Sequence, residues 1–151
     1  MEYDRSKSRL QRLCSRAEYC SSDIYKKALK DLEGDAESAS RLVAELVSEH
    51  YVDDVRYSSA FAREKSSIQG WGPIKIRFQL RAKGVAEDAI NEGLREIDRP
   101  KADRRMEKLL AEKYRSLKED PQCRLKLLKF GLTRGYEYGD VSAAIENILN
   151  Q

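Results

Sequence analysis

The 151-residue chain is poor in the residues that break or cross-link a fold: three prolines, eight glycines, three cysteines and a single histidine. No apolar run approaches the roughly 20 residues a membrane span needs. The start, MEYDRSKSRLQRL, lacks the apolar stretch of a secretory signal. These absences predict a soluble, cytoplasmic protein. Cys14, Cys20 and Cys123 are odd in number and form no CxxC pair or Cys/His cluster, which excludes a disulfide framework and a zinc site and leaves reduced thiols. With His50 alone, a histidine-dependent triad has no Ser or Cys motif beside it. Paired carboxylates in a pocket context and a Gly-rich phosphate loop are also missing, so an enzyme, a cofactor and a small-molecule substrate are not expected. Strictly alternating Val, Ile and Thr runs are absent too, and no strand is predicted.

What the chain has is charge: 36% of its residues, against 40% hydrophobic. A charged fraction well above the usual ~25% must reach solvent, and amphipathic helices allow this because each needs only a stripe of apolar residues. Tyr57, Phe61 and Ile68 step at helical spacing, as do Ile76 and Leu80, then Ile90, Leu94 and Ile97. Breaks fall at Gly70, Gly72 and Pro73, at Asp98-Arg99-Pro100, and at Asp120-Pro121, the last read as an N-cap followed by proline at the first helical position. Ser21 or Ser22, Asp35 and Asp53 are further predicted N-caps.

Sliding the chain along itself by 51 positions reveals a repeat. Tyr25, Ile76 and Leu127 form an apolar column; so do Ala39, Ile90 and Val141, then Val43, Leu94 and Ile145, then Leu46, Ile97 and Ile148. Leu29 meets Leu80. Turns at Glu33-Gly34, Lys83-Gly84 and Arg134-Gly135 are read as falling in the same register. The period suits three helices per unit. The expected fold is all-α: three tandem three-helix repeats, 1–50 with a short polar N-terminus, 51–98 and 99–151, in an elongated modular arrangement open to curvature. The nine expected helices run 6–18, 23–33, 36–49, 54–68, 73–83, 86–97, 101–117, 121–134 and 138–149.

The net charge of +3 averages over a pattern. No acid occurs from Lys65 to Ala86 or from Pro121 to Tyr136, so the middle helices of units two and three are basic, whereas the third helices carry Glu37, Glu45 and Glu49 or Glu87, Asp88, Glu92 and Glu96. In the repeat Lys75 matches Lys126, Lys83 matches Arg134, Lys26 matches Arg77, and Lys30 matches Arg81. Recurring cations suit phosphates or an acidic protein groove. Without Arg or Asn spaced for base edges they would position a partner rather than read sequence. Two other readings remain open from the residues: a stand-alone helical nucleic-acid-binding protein, because basic three-helix units resemble helix-turn-helix architecture, and a helical scaffold that binds protein through its acidic third helices. Trp71, between two glycines, reads as core packing with a possible place at a contact surface.

The segment YVDDVRYSSAFAREKSSIQGWGPIKIRFQLRAKGV, Tyr51 to Val85, resembles the central signature of the RecX family of recombination regulators. Its residues here are Asp53, Asp54, Arg56 and Tyr57 at a turn into a helix, then Gly70, Gly72 and Pro73, then Ile76, Leu80, Lys83, Gly84 and Val85. RAEYCSSDIYKKAL, Arg16 to Leu29, and LTRGYEYGDVSAAI, Leu132 to Ile145, are similar to flanking family segments. Cys20 stands where Ser is usual, and Glu33-Gly34-Asp35 replaces a basic turn. The resemblance implies a modulator of RecA, built from three-helix units, that lodges in the groove of the RecA filament on single-stranded DNA. It would restrain filament extension, ATP hydrolysis, strand exchange and co-cleavage of LexA, in recombination, repair and the SOS response. The expected contact set is Lys75, Arg77, Arg81, Lys83, Lys126, Lys129 and Arg134, with Lys26 and Lys30. Asp54 and Arg56 are expected to hold a junction by capping and ion pairing. A monomer with weak direct DNA contact and no membrane association is expected.

Overall fold

The computed structural model describes residues 1–151. It holds nine helices and no strand, and is 74% helical. They are α1 (Tyr3–Arg16), α2 (Ser21–Asp31), α3 (Ala36–Ser48), α4 (Asp54–Ser67), α5 (Pro73–Ala82), α6 (Glu87–Leu94), α7 (Arg99–Leu117), α8 (Cys123–Thr133) and α9 (Tyr138–Leu149). No helix is long and apolar enough to cross a membrane.

Local chemistry places the ends. The Asp35 carboxylate accepts from the Ser38 N–H at 3.1 Å, the Asp53 carboxylate from Val55 and Arg56 at 2.9 and 3.1 Å, and the Asp98 carboxylate from Lys101 at 3.1 Å. Each relieves a donor that a helix start leaves unpaired. Pro100 falls within the first turn of α7, where its missing N–H costs nothing, so the helix begins earlier than the sequence suggests. Asp120 behaves differently from expectation. Its carboxylate accepts from Gln122 at 2.8 Å and its carbonyl from Cys123 at 3.0 Å, which closes a turn over Pro121 and delays regular helix to Cys123.

The ends of the middle helices repeat in register. The N–H groups of Gly34, Val85 and Tyr136 donate to the carbonyls of Leu29, Leu80 and Gly131, five residues back, at 2.8, 3.1 and 3.2 Å. Glu33, Gly84 and Gly135 donate to Lys30, Arg81 and Leu132. This is the Schellman arrangement, which needs a left-handed residue; φ is +55° at Glu33, +76° at Gly84 and +94° at Gly135. The residue aligned with Gly84 and Gly135 is therefore Glu33, not Gly34.

Packing divides the chain into two bodies, residues 1–60 with 80–93 and residues 61–79 with 94–151. In the first, Leu10, Ile24, Ala28, Ala39, Leu42, Leu46 and Val52 form a core that is almost fully buried. Ala28 of α2 and Ala39 of α3 are both fully buried in it. Polar links bind the same body: Arg9 and Ser6 both donate to the Asp31 carboxylate, and Lys7 bridges Glu45 and Glu49 at 2.8 and 2.7 Å. The second body is built on Met106, Leu110, Cys123, Leu127, Tyr136, Val141, Ala144 and Ile145. Gly131 on α8 lies so close to the Val141 side chain that any Cβ would collide with it.

Candidate binding surface

Several motif residues are structural. Asp54 accepts from the backbone N–H and the hydroxyl of Ser21, both at 2.8 Å, so it caps the start of α2 from a distant part of the chain, where its negative charge also suits the helix dipole. Ser21 is thus the capped residue and not the cap. Arg56 donates to Glu18 and to the carbonyls of His50 and Tyr51 at 3.2 Å. Tyr57 is buried, and burial pushes its hydroxyl pKa up.

In the second body the glycines of the Gly70-Trp71-Gly72-Pro73 segment meet the Arg134-Gly135-Tyr136 turn. Gly72 N–H donates to Arg134 O at 2.8 Å and Ile74 N–H to Gly135 O at 2.9 Å. The Tyr136 hydroxyl donates to Gly70 O at 2.7 Å. A Cβ on Gly72 would fall on the Gly135 backbone, and one on Gly135 would fall on Lys75. Glycine is needed at 72 and 135 for this approach, and Gly70 has φ +70°.

Trp71 is half-buried and packs edge-on to Phe61, with centroids 6.2 Å apart. The ammonium groups of Lys75 and Lys65 lie 4.4 and 5.0 Å from its ring centroid, within range for cation–π attraction. It also lines a cleft of about 320 Å³ with Pro73, Ile97, Arg99, Tyr136 and Asp140.

The expected cations fall into two groups. Some are engaged: Lys83 donates to the Asp23 carboxylate at 3.1 Å, a bond that raises its pKa, while its carbonyl accepts from Ser22. Arg134 lies 5.1 Å over the Phe130 ring and donates to Gln69 O at 3.3 Å. Arg81 pairs with Glu87 and Lys126 with Asp120, but both cations stay open to water. The Lys126 contact holds the Asp120 carboxyl below its usual range. Others face out: Lys26 and Lys30 on α2 and Lys129 on α8 are exposed. Arg77 on α5 is half-buried.

Charge reasoning missed the apolar part of these faces. Ile74 and Phe78 on α5 are 52% and 67% exposed, and Leu125 and Leu132 on α8 are 61% and 41% exposed. The repeat carries the signal that could have found them. Ile74 and Leu125 share a column with Asp23, and Phe78 shares one with Lys27 and Lys129; a column that holds charge elsewhere points outward. The acid-free middle helices therefore present cations mixed with exposed apolar groups. No group of three His, Cys, Asp or Glu side chains gathers to hold a metal.

The fold and surface define an all-helical protein of three-helix units in which the middle helices α5 and α8 carry basic, partly apolar faces. Residues 53–94 match the family profile of the second three-helix domain of RecX. A regulatory protein RecX of Clostridium botulinum is 31% identical over 120 residues, spanning 77% of this chain and 56% of that one. One from Clostridium tetani is 26% identical over 119 residues, spanning 76% and 54%. The chain thus spans about half the length of these clostridial relatives. A crystal structure of RecX from Lactobacillus salivarius superposes with a TM-score of 0.86 at 16% identity, covering 99% of this chain and 97% of that one. Another regulatory protein RecX gives 0.83 at 24%, covering 99% and 72%. The chain is thus similar to RecX proteins in sequence at its second three-helix domain and in fold along its whole length.

Proposed function

We propose that this chain regulates a RecA-type recombinase by binding its filament on single-stranded DNA, restraining filament extension, ATP hydrolysis and strand exchange. The observation that carries the reading is the RecX match at 53–94, which contains the whole of the basic helix α5. Lys75, Arg77, Arg81, Lys126, Lys129 and Arg134, with Lys26 and Lys30, form the proposed contact set. Lys83 serves it indirectly, by holding the end of α5 against Asp23. The stretches 1–50, 51–98 and 99–151 act as three modules, and the protein works as a cytoplasmic monomer by binding alone. Its effect is thermodynamic: occupancy favours filament states that grow or exchange poorly, by the difference in affinity between states.

The test is RecA ATPase on single-stranded DNA with increasing amounts of the protein. A fall in turnover supports the reading, and unchanged turnover at molar excess overturns it.

A further inference from the structure

We propose that the outward face of α5 is a nucleobase-stacking platform for single-stranded nucleic acid, with Phe78 as the stacking residue. This deepens the direct DNA contact of the reading above, but its geometry does not depend on RecA. Phe78 is 67% exposed. Ile74 and Lys75 stand four and three residues before it, on the same helical face, and Arg77 adjoins it. Ile74 is 52% exposed. Two large apolar side chains exposed one turn apart form a patch flanked by cations, and exposed apolar patches rimmed by polar residues mark interaction sites.

The surroundings indicate what covers it. The sequence from Lys65 to Ala86 contains five cations and no acid; Arg81 and Lys83 pair with Glu87 and Asp23, while Lys75 and Arg77 stand beside the ring on its own helix, where positive charge attracts polyanions. The equivalent positions in the other repeats are Lys27 and Lys129, which could meet a phosphate and give nothing to a base. Of the three middle helices only α5 combines cations with an exposed aromatic ring, since Tyr25 on α2 and Phe130 on α8 are half-buried; this is the pairing by which proteins hold single strands without reading sequence, phosphates on Lys and Arg and bases on the ring face. Leu125 on α8, the counterpart of Ile74, has Lys129 four residues on where α5 has Phe78.

The experiment uses the full chain without RecA, and fluorescence anisotropy with two labelled probes of equal length: an oligothymidylate and an abasic deoxyribose-phosphate strand. The platform predicts tighter binding of the oligothymidylate. Phe78→Ala should weaken that binding about 5- to 100-fold and bring it to the level of the abasic strand, with the salt slope kept because the phosphate contacts remain. Phe78→Leu should fail like Ala, and Phe78→Trp should bind at least as tightly as the native chain. Helicity by circular dichroism should be unchanged in all three, since the side chain is outside the core. Equal affinity for the two probes, no binding at low salt, or full affinity in Phe78→Leu would overturn the proposal; the last would mean that apolar contact, not ring stacking, holds the strand. RecA ATPase, measured separately, distinguishes failure of stacking from failure of the regulatory reading.

Discussion

The hydroxyl of Tyr136 meets the carbonyl of Gly70 at 2.7 Å, in a buried hydrogen bond between residues 66 positions apart. It joins the loop before α5 to the turn after α8, where Gly72 and Gly135 also bring their backbones together.

Removing that hydroxyl leaves a buried carbonyl without a donor. Tyr136→Phe should cost about 1–3 kcal/mol. Thermal unfolding followed by circular dichroism should show this as a Tm lower by several degrees, and an unchanged Tm would mean that the carbonyl finds another partner.

The glycines should differ sharply in their tolerance. Gly72→Ala places a methyl group on backbone that cannot move aside, and should cost about 3 kcal/mol or more. Gly139, in the first turn of α9, has open space around it, so Gly139→Ala should raise stability by up to about 1 kcal/mol. Urea midpoints of the two variants should therefore move in opposite directions.

Asp54 acts on a helix it does not belong to. Asp54→Ala should unpair two donors at Ser21 and destabilise the protein by about 1–2 kcal/mol. Hydrogen exchange should quicken most at the first amides of α2. Quickening confined to α4 would contradict the distant cap.

Alkaline pH should destabilise the fold. The Asp23 carboxylate raises the pKa of Lys83, and burial raises those of Tyr57 and Tyr136. In each case the folded state holds the proton more tightly than the unfolded chain. The stabilisation is complete below the ordinary Lys and Tyr values, near pH ~10, and is lost as pH rises through the folded values. Urea midpoints should hold through neutrality and fall above about pH 10, less steeply in Tyr136→Phe.

Charge reversal on α5 separates binding from folding. The Arg81–Glu87 pair is solvent-exposed, and such pairs contribute little to stability. Under the proposed function, the double variant Arg77→Glu, Arg81→Glu should keep its helicity and lose inhibition of RecA ATPase. Full inhibition by that variant would remove the basic face from the mechanism.

The helices were legible because their signals are local. Apolar residues three and four apart, Asp at the starts and glycine at the ends place most boundaries within a few residues of those observed. The 51-residue period was legible too, since Ala39, Ile90 and Val141 answer the same burial requirement and are all fully or nearly fully buried. The outward face was read only in part. Cations announce themselves in a sequence, but Ile74 and Phe78 have the spacing of core residues, and spacing along one helix does not say which side its neighbours will cover.

By itself, then, the sequence determined that this chain is helical, repeats every 51 residues and concentrates acid-free basic charge on the middle helices of its second and third units, because periodicity, capping and charge act over a few neighbouring residues. Tertiary structure decided which of those residues do the holding. It turned Lys83 to Asp23 and Arg134 to Phe130, set Gly72 against Gly135, and left Phe78 in water. Each of these outcomes depends on which distant side chains arrive nearby, which short-range pattern does not encode.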